Sequence, residues 1–300
     1  MPQPLPILID RLTKSYGKQR GVQNIDLTVE RGEIFGFLGP NGAGKTTTIR
    51  VLIGLLRPTS GGARIFGRDC FAKAGRAHRE IGFIPGDLRL YEQMGVMEFF
   101  RFLAGLHGGV RRGRIEGLAE RLELDTRRQI KHLSRGNRQK VGLVQALMHE
   151  APLLILDEPS SGLDPLMEVI FMQLIREERT AGRTIFLSSH NLSEVERVCD
   201  RVAILRDGSL VAVEQVEALK GNRVREMTVT FRQPIDPRAF ESNGIVMLER
   251  SENRIRISLR GDLNPLIRTL ARYEVQDLSF REPSLEEVFL HYYQPAPVAL

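Results

Sequence analysis

Cysteine is nearly missing from this chain of 300 residues: Cys70 and Cys199 stand far apart, outside any CxxC or Cys/His cluster. That spacing argues against a disulfide framework or a zinc site and leaves two reduced thiols without a role. Long apolar runs are missing too. The stretch around Leu153 to Leu156 falls far short of the roughly 20 residues of a membrane span, so no segment is expected to cross a bilayer by itself. The opening MPQPLPILIDRLTK has no basic lead and only a brief apolar patch before Asp10 and Arg11. It does not fit a secretory leader and is cytoplasmic in character. Internal repeats and low-complexity segments are absent, and the tail 294–300, ending PAPVAL, is expected to be disordered.

What is present starts with positive charge: a net +6 and a pI near 9.6. Such a balance suits nucleic acid, a phosphate-rich ligand or an anionic membrane surface. The basic clusters Arg111-Arg112-Gly113-Arg114 and Arg127-Arg128 carry no interleaved aromatics and read as a solvated face. No nucleic-acid partner is expected. With 42% hydrophobic residues, the length allows one large domain and a smaller companion.

Through about residue 220, strand-like runs alternate with helical patterns, the rhythm of an α/β domain with a largely parallel sheet. Strands are predicted at Ile34–Leu38, Leu153–Leu156 and Thr184–Ser188. Between Asp87 and Glu150 the pattern is helical, with apolar spacing such as Phe99, Phe102, Leu103 and Leu106. This is read as an inserted helical subdomain, about 87–150. After Gly221, Met227, Val229 and Phe231 alternate with polar residues, as do Ile255, Ile257 and Leu259, so half-buried strands are expected. Asn264 reads as an N-cap ahead of Pro265 at the first helical position, and Ser284 to Glu287 as a capping box before a last short helix. Domains are therefore expected at 1–221 and 222–293, the second a small α+β unit.

GPNGAGKT, residues 39–46, fits G-x-x-x-x-G-K-[ST] and lies between the strand-like IFGFL and the helix-like TTTIRVLIGLL. Gly39, Gly42 and Gly44 let backbone N–H groups close on phosphates at a helix N-terminus, where free donors and the macrodipole favour an anion. Lys45 is assigned to the terminal phosphates and Thr46 to Mg²⁺. LLILDEP, residues 153–159, ends a buried strand in two carboxylates: Asp157 for the metal shell and Glu158 as the base that orients water. His190 closes TIFLSSH, from where its imidazole can face the γ-phosphate.

LSRGNRQ, residues 133–139, opens a helix. With LLILDEP downstream it resembles the signature of the ABC ATPases, usually LSGGQ, from which Arg135 and Asn137 depart. The resemblance covers about residues 5–220. It implies a P-loop NTPase fold and an ATPase using ATP and Mg²⁺. Two such domains meet head to tail, so that Ser134, Gly136 and Asn137 of one chain face the γ-phosphate held by the other. It further implies that Tyr16 stacks on adenine, that Asn41 and Thr47 join the phosphate loop, that Ser161-Gly162-Leu163-Asp164 crosses the dimer interface, and that His190 is the switch histidine. A cytoplasmic, membrane-peripheral subunit follows, powering separate membrane-spanning subunits, with a homodimer expected. The C-terminal unit, ending EPSLEEVF, resembles extensions on bacterial ATPases of drug and antibiotic exporters. A soluble ABC ATPase acting on nucleic acid or ribosomes is the competing reading, though neither a second nucleotide-binding domain nor a long coiled-coil insertion is present.

IGFIPGDLRLY, residues 81–91, contains a turn at Pro85-Gly86-Asp87. The resemblance places Gly86 where such ATPases carry a glutamine that touches metal and water. Glycine cannot do so. Either Asp87 supplies an oxygen or the metal keeps another water; the water is preferred, because a third carboxylate beside Asp157 and Glu158 adds repulsion.

Overall fold

The computed structural model describes residues 3–17, 19–72, 78–221, 225–240, 245–259 and 263–281. Two compact units divide the chain, Met1–Val216 and Glu217–Leu300.

In the first unit, strands β1 (Ile7–Tyr16), β2 (Gln19–Val29), β4 (Ser60–Ile65) and β5 (Arg68–Asp69) form an antiparallel sheet in the order β2-β1-β4-β5. The alternating rhythm of the sequence points to one largely parallel sheet and does not show this antiparallel one. The largely parallel sheet is a separate one: β3 (Ile34–Leu38), β6 (Ile81–Ile84), β7 (Leu153–Asp157), β8 (Thr184–Ser189), β9 (Arg201–Arg206) and β10 (Ser209–Gln215), ordered β10-β9-β3-β8-β7-β6. Every pairing is parallel except that of the edge strand β10. Every residue of β3, β7 and β8 is buried, as continuous apolar runs in a sheet covered on both faces require.

The order matters for function. Helix-bearing crossovers leave the carboxyl ends of β3, β8 and β7 side by side, with Leu38 opposite Ser189 and Asp157 opposite Ser188. Ligand sites of open parallel sheets form at those ends. Helix α1 (Lys45–Leu52) leaves the end of β3 and buries Ile49, Val51 and Leu52 in one cluster with Phe35, Phe37 and Phe186. Phe186 stacks on Phe35 at 6.0 Å between centroids, so Phe186→Ala costs about 3–5 kcal/mol and loosens the platform under the site.

Three helices make the inserted region: α2 (Val96–Leu106), α3 (Arg114–Arg121) and α4 (Arg135–Leu147). The expected apolar face of α2 is displaced. Phe99 and Phe100 are buried, whereas Phe102 and Leu106 are 45% and 64% exposed. Nor is Arg114 part of a solvated face. Its guanidinium and that of Arg183 both pair with Glu178, 3% exposed, on α5 (Pro165–Thr180), so that cluster clamps α3 to the core. Arg121 adds a contact to Glu177 at 2.8 Å. Helix α6 (Leu192–Val198) follows β8, and the short α7 (Val216–Gly221) follows β10.

In the second unit, β11 (Arg225–Phe231), β12 (Ile245–Arg250), β13 (Arg254–Leu259) and β14 (Val275–Arg281) form an antiparallel sheet ordered β12-β13-β11-β14. Met227, Val229 and Phe231 point to the same core as Ile255, Ile257 and Leu259, closed by Phe240 and by Leu266 and Leu270 of α8 (Asn264–Leu270). The period-two reading therefore holds. Asn264, however, is the first helical residue; Leu263 occupies the cap and makes no side-chain bond. A one-residue offset at a helix end is small in structure but removes the capping role. The capping box at 284–287 and the tail 294–300 lie outside the described residues.

Candidate functional site

Residues 39–44 turn from β3 into α1 around glycines that no other residue replaces without strain. Gly44 has φ +105°, and a Cβ there would stand 2.4 Å from Val22 Cγ1. The loop walls a concavity lined by Tyr16, Gly21, Pro40, Asn41, Gly42, Gly44, Lys45, Thr46 and Thr47. Tyr16, 44% exposed, forms one side, with Lys14 Nζ 5.4 Å from its ring centroid. Gly21 makes room for that ring: a Cβ would lie 2.9 Å from Tyr16 Cε2. Gly39 is tight against β9, where a Cβ would lie 2.8 Å from the Leu205 carbonyl.

The charged groups converge at the foot of this concavity. Lys45 Nζ, on a side chain only 6% exposed, donates to the Gly39 carbonyl at 2.6 Å and lies 3.2 Å from Glu158 Oε1. That second contact is an ion pair without hydrogen-bond geometry, since Oε1 has no hydrogen-bond partner. Glu158 Oε2 meets His190 Nδ1 at 2.6 Å. The Glu158 backbone has φ +51°, rare for a non-glycine residue, and its N–H donates to the Ser188 carbonyl at 3.2 Å. One step back, Thr46 Oγ1 donates to Asp157 Oδ2 at 2.9 Å, and the Ser188 hydroxyl donates to Asp157 Oδ1. Lys45, Thr46, Asp157, Glu158 and His190, separated by up to 145 positions in sequence, thus form one cluster.

Ser134, Gly136 and Asn137 lie apart from it. Ser134 caps α4, its hydroxyl accepting the Asn137 N–H at 3.3 Å. Among the described residues, none of the three bonds to the phosphate loop. Their neighbour is the loop after β7: a Cβ on Gly136 would stand 2.7 Å from the Gly162 carbonyl, and Arg135 Nη2 donates to Ser161 Oγ at 3.0 Å. Asp164 caps α5 through the N–H groups of Leu166 and Met167 at 3.1 and 3.0 Å.

At the 85–87 turn, a Cβ on Gly86 would lie 3.0 Å from Asp157 Oδ2, so Gly86 faces the Asp157 carboxylate. Asp87 turns outward, with its side chain 74% exposed and paired to Arg89 at 3.3 Å. Beside this turn, Ile53, Leu55, Phe83, Leu103, His107, Gln145 and His149 line a mostly apolar groove. The rings of His107 and His149 stack at 3.7 Å, and burial pushes His149 down to about 4, with His107 acting in the same direction.

Ser188, Gly21 and Gln139 were not singled out from the sequence. Ser188 had a signal: it sits two residues before His190 in TIFLSSH, hence on the same side of the strand end. Gln139, whose Nε2 donates to the Pro159 carbonyl at 2.8 Å, had none.

A glycine-rich strand-to-helix loop, a buried lysine, and a threonine and aspartate side by side at the end of a parallel sheet define a P-loop nucleotide-binding protein. Residues 22–161 match the ABC transporter family. The bacitracin transport ATP-binding protein BcrA of Bacillus licheniformis is 34% identical over 297 residues, 93% of this chain and 94% of that protein. An uncharacterized ABC transporter ATP-binding protein of Bacillus subtilis is 31% identical over 95% of this chain and 97% of its own length. An uncharacterized relative in Nostoc is 40% identical, the match spanning 62% of that protein. A solved ATP-binding subunit of an ABC transporter superposes with TM-score 0.66 at 32% identity, covering 71% of this chain and 91% of that one. A dimeric cassette bound to ADP and Pi shares the fold, with TM-score 0.65 at 24% identity over 70% of this chain and 98% of its own. The chain belongs to the ABC transporter family as an ATP-binding protein, an ATPase with the α/β fold of that class.

Proposed function

We propose that two copies of this chain bind ATP between them and hydrolyse it to drive separate membrane-spanning subunits in the export direction, from the cytoplasmic face of the membrane. The observation that carries this is the division of the site. Lys45, Thr46, Asp157, Glu158 and His190 converge, while Ser134 and Gly136 present a capped helix start elsewhere. A second chain supplying that helix completes the γ-phosphate shell, which is why the head-to-tail pair is favoured. Tyr16 supports adenine by its exposed ring face, and the loop amides from Asn41 to Thr47 support the phosphates.

Thr46 and Asp157 bring a hydroxyl and a carboxylate together, a hard-oxygen pair that suits Mg²⁺ alongside phosphates and water. Among the described residues no cluster of three or more His, Cys, Asp or Glu could hold a metal ion. When bound, Mg²⁺ neutralises charge on the transferring phosphoryl group. The rest falls to side chains. Glu158, fixed by its strained backbone and by His190, orients the attacking water and accepts its proton. Lys45 stabilises the charge growing between β- and γ-phosphates, and the water's oxygen bonds to phosphorus as the bond to ADP breaks. Gly86 has no side chain to offer a metal and Asp87 turns outward to Arg89, so neither would hold the ion beside Thr46 and Asp157.

Export is supported by relatives named for bacitracin transport and, at 36% identity over 38% of an Escherichia coli protein, for probable multidrug transport. No helix among the described residues is long and apolar enough to cross a membrane. The apolar groove between α1, β6 and α2, next to the 85–87 turn, is the docking surface favoured for the membrane partner. We read 1–221 as the nucleotide-binding domain, with the helical subdomain at about 87–150, and 222–293 as an accessory domain. The test is purification of the tagged chain from membranes: a polytopic protein in stoichiometric amount supports the account, and recovery only with ribosomes or nucleic acid contradicts it.

A further inference from the structure

The small second unit has two edge strands, and they differ. β12 is broken by a register shift between Met247 and Glu249, the kind of bulge that turns a sheet edge away from further pairing. β14 pairs with β11 without interruption from Asp277 to Arg281. Its other edge has no strand beside it among the described residues, and all seven of its residues are exposed. An uninterrupted free edge is a template for one more strand.

The side chains of β14 sort by face. Leu278 lies opposite Val229 and Phe280 opposite Met227, both part of the buried core, so these two carry the core face to the rim of the sheet. There they remain 47% and 43% exposed. Asp277, Ser279 and Arg281 alternate with them on the other face. The segment Asp-Leu-Ser-Phe-Arg is self-complementary about Ser279. A second copy running antiparallel sets Asp277 of each chain against Arg281 of the other, and Leu278 against Phe280. Moving the centre by one residue to Leu278 sets Asp277 against Ser279 and Gln276 against Phe280, which loses both charge pairs and the apolar match.

We propose that β14 is a self-pairing edge: two copies of this chain join there, antiparallel and two-fold about Ser279, so that their four-stranded sheets become one continuous sheet. Arg281 already has a contact within its own chain, and its five donors let it serve a second carboxylate. At five residues a side the contact is far smaller than the interface of a stable dimer, so free chains pair only transiently and stay single when dilute. Where membrane subunits hold two copies together, as the ATPase reading above has it, the effective concentration is high and the pair persists after nucleotide leaves. The pairing itself uses no nucleotide.

The experiment is oxidative cross-linking of Ser279→Cys in the full chain without nucleotide. Cys70 and Cys199 are buried and do not compete. Residues directly opposite in antiparallel strands stand about 4.5 to 5.5 Å apart at Cα, within the span of a disulfide, so a covalent dimer should form. Asp277→Cys, whose counterpart in the other chain lies about 13 Å along the strand, should form none. Added to Ser279→Cys, Asp277→Arg or Arg281→Asp sets like charges opposite one another. Either variant alone should cross-link about threefold more slowly or worse, and a mixture of the two should recover, because opposite charges then meet. Should Arg281→Asp fail to fold, Asp277→Arg must still slow the reaction. Cross-linking of Ser279→Cys no faster than that of Asp277→Cys overturns the proposal, and means that another segment covers this edge or that nothing does. A rate indifferent to the charge variants overturns it too. If the chain hydrolyses no ATP, the ATPase reading fails and the cross-linking result stands unaffected.

Discussion

Glu158→Gln should do two opposite things, and both follow from one contact. The Lys45 ammonium and Glu158 carboxylate lie 3.2 Å apart on side chains 6% and 19% exposed. On the proposal that Lys45 meets the terminal phosphates, ATP competes for that same ammonium. Making residue 158 neutral leaves Lys45 to the phosphates and removes a negative charge facing them. A partly shielded pair of this kind is worth about 1 kcal/mol, so ATP should bind about fivefold more tightly. Hydrolysis should fall about 10²- to 10⁴-fold, the usual contribution of a positioned general base. Calorimetric titration with Mg-ATP gives the first number and steady-state phosphate release the second. An affinity unchanged or weakened, with the fold intact by circular dichroism, would refute the idea that Glu158 and the phosphates share Lys45.

Lys45→Ala should weaken ATP binding by about one to two decades, since a charge-assisted contact contributes roughly 1.5 to 3 kcal/mol; unchanged affinity would mean the loop is not the phosphate cradle. Asp87→Ala should leave basal hydrolysis and its Mg²⁺ requirement as in wild type, because Asp87 faces Arg89, and should impair only transport by the full complex; a raised Mg²⁺ requirement would show that Asp87 replaces the missing glutamine. His149 has its folded pKa lowered from 6.5 to about 4, so between those values the unfolded chain binds more protons. Stability should therefore fall as pH drops through that window, and the melting temperature of His149→Gln should lose this pH dependence; parallel curves for the two proteins would contradict the burial argument.

Much of the site could be read before any coordinates because its chemistry is local in sequence. A phosphate loop needs glycines, a lysine and a hydroxyl within eight positions, and LLILDEP shows its strand and carboxylates together. Parallel strands buried on both faces are also legible: Ile34–Leu38 is observed as read, and Thr184–Ser188 extends by one residue to Ser189, because each carries a continuous apolar run such as Ile185–Leu187. What escaped notice depends on long-range placement. Phe102 and Leu106 fit a helical stripe yet stay exposed, because periodicity reveals a face without saying whether anything covers it. Arg114 looked like one of a solvated cluster; only folding brings Glu178 to it. The first antiparallel sheet went unseen because its strands carry positive-φ breaks at Arg11 and Asn24, which blur the period-two pattern. Arg135 stood out as a departure from a motif, but its bond to Ser161 spans 26 positions and leaves no trace in spacing.

The central claim is a site shared between two chains. Its most direct test is the mass of Glu158→Gln in light scattering after gel filtration, alone and co-expressed with the membrane subunit, with Mg-ATP or ADP. The account predicts a species of twice the 33.9 kDa chain mass with ATP, reverting to single chains with ADP. Single chains at saturating ATP in the isolated sample, together with only one copy per membrane complex, would contradict it.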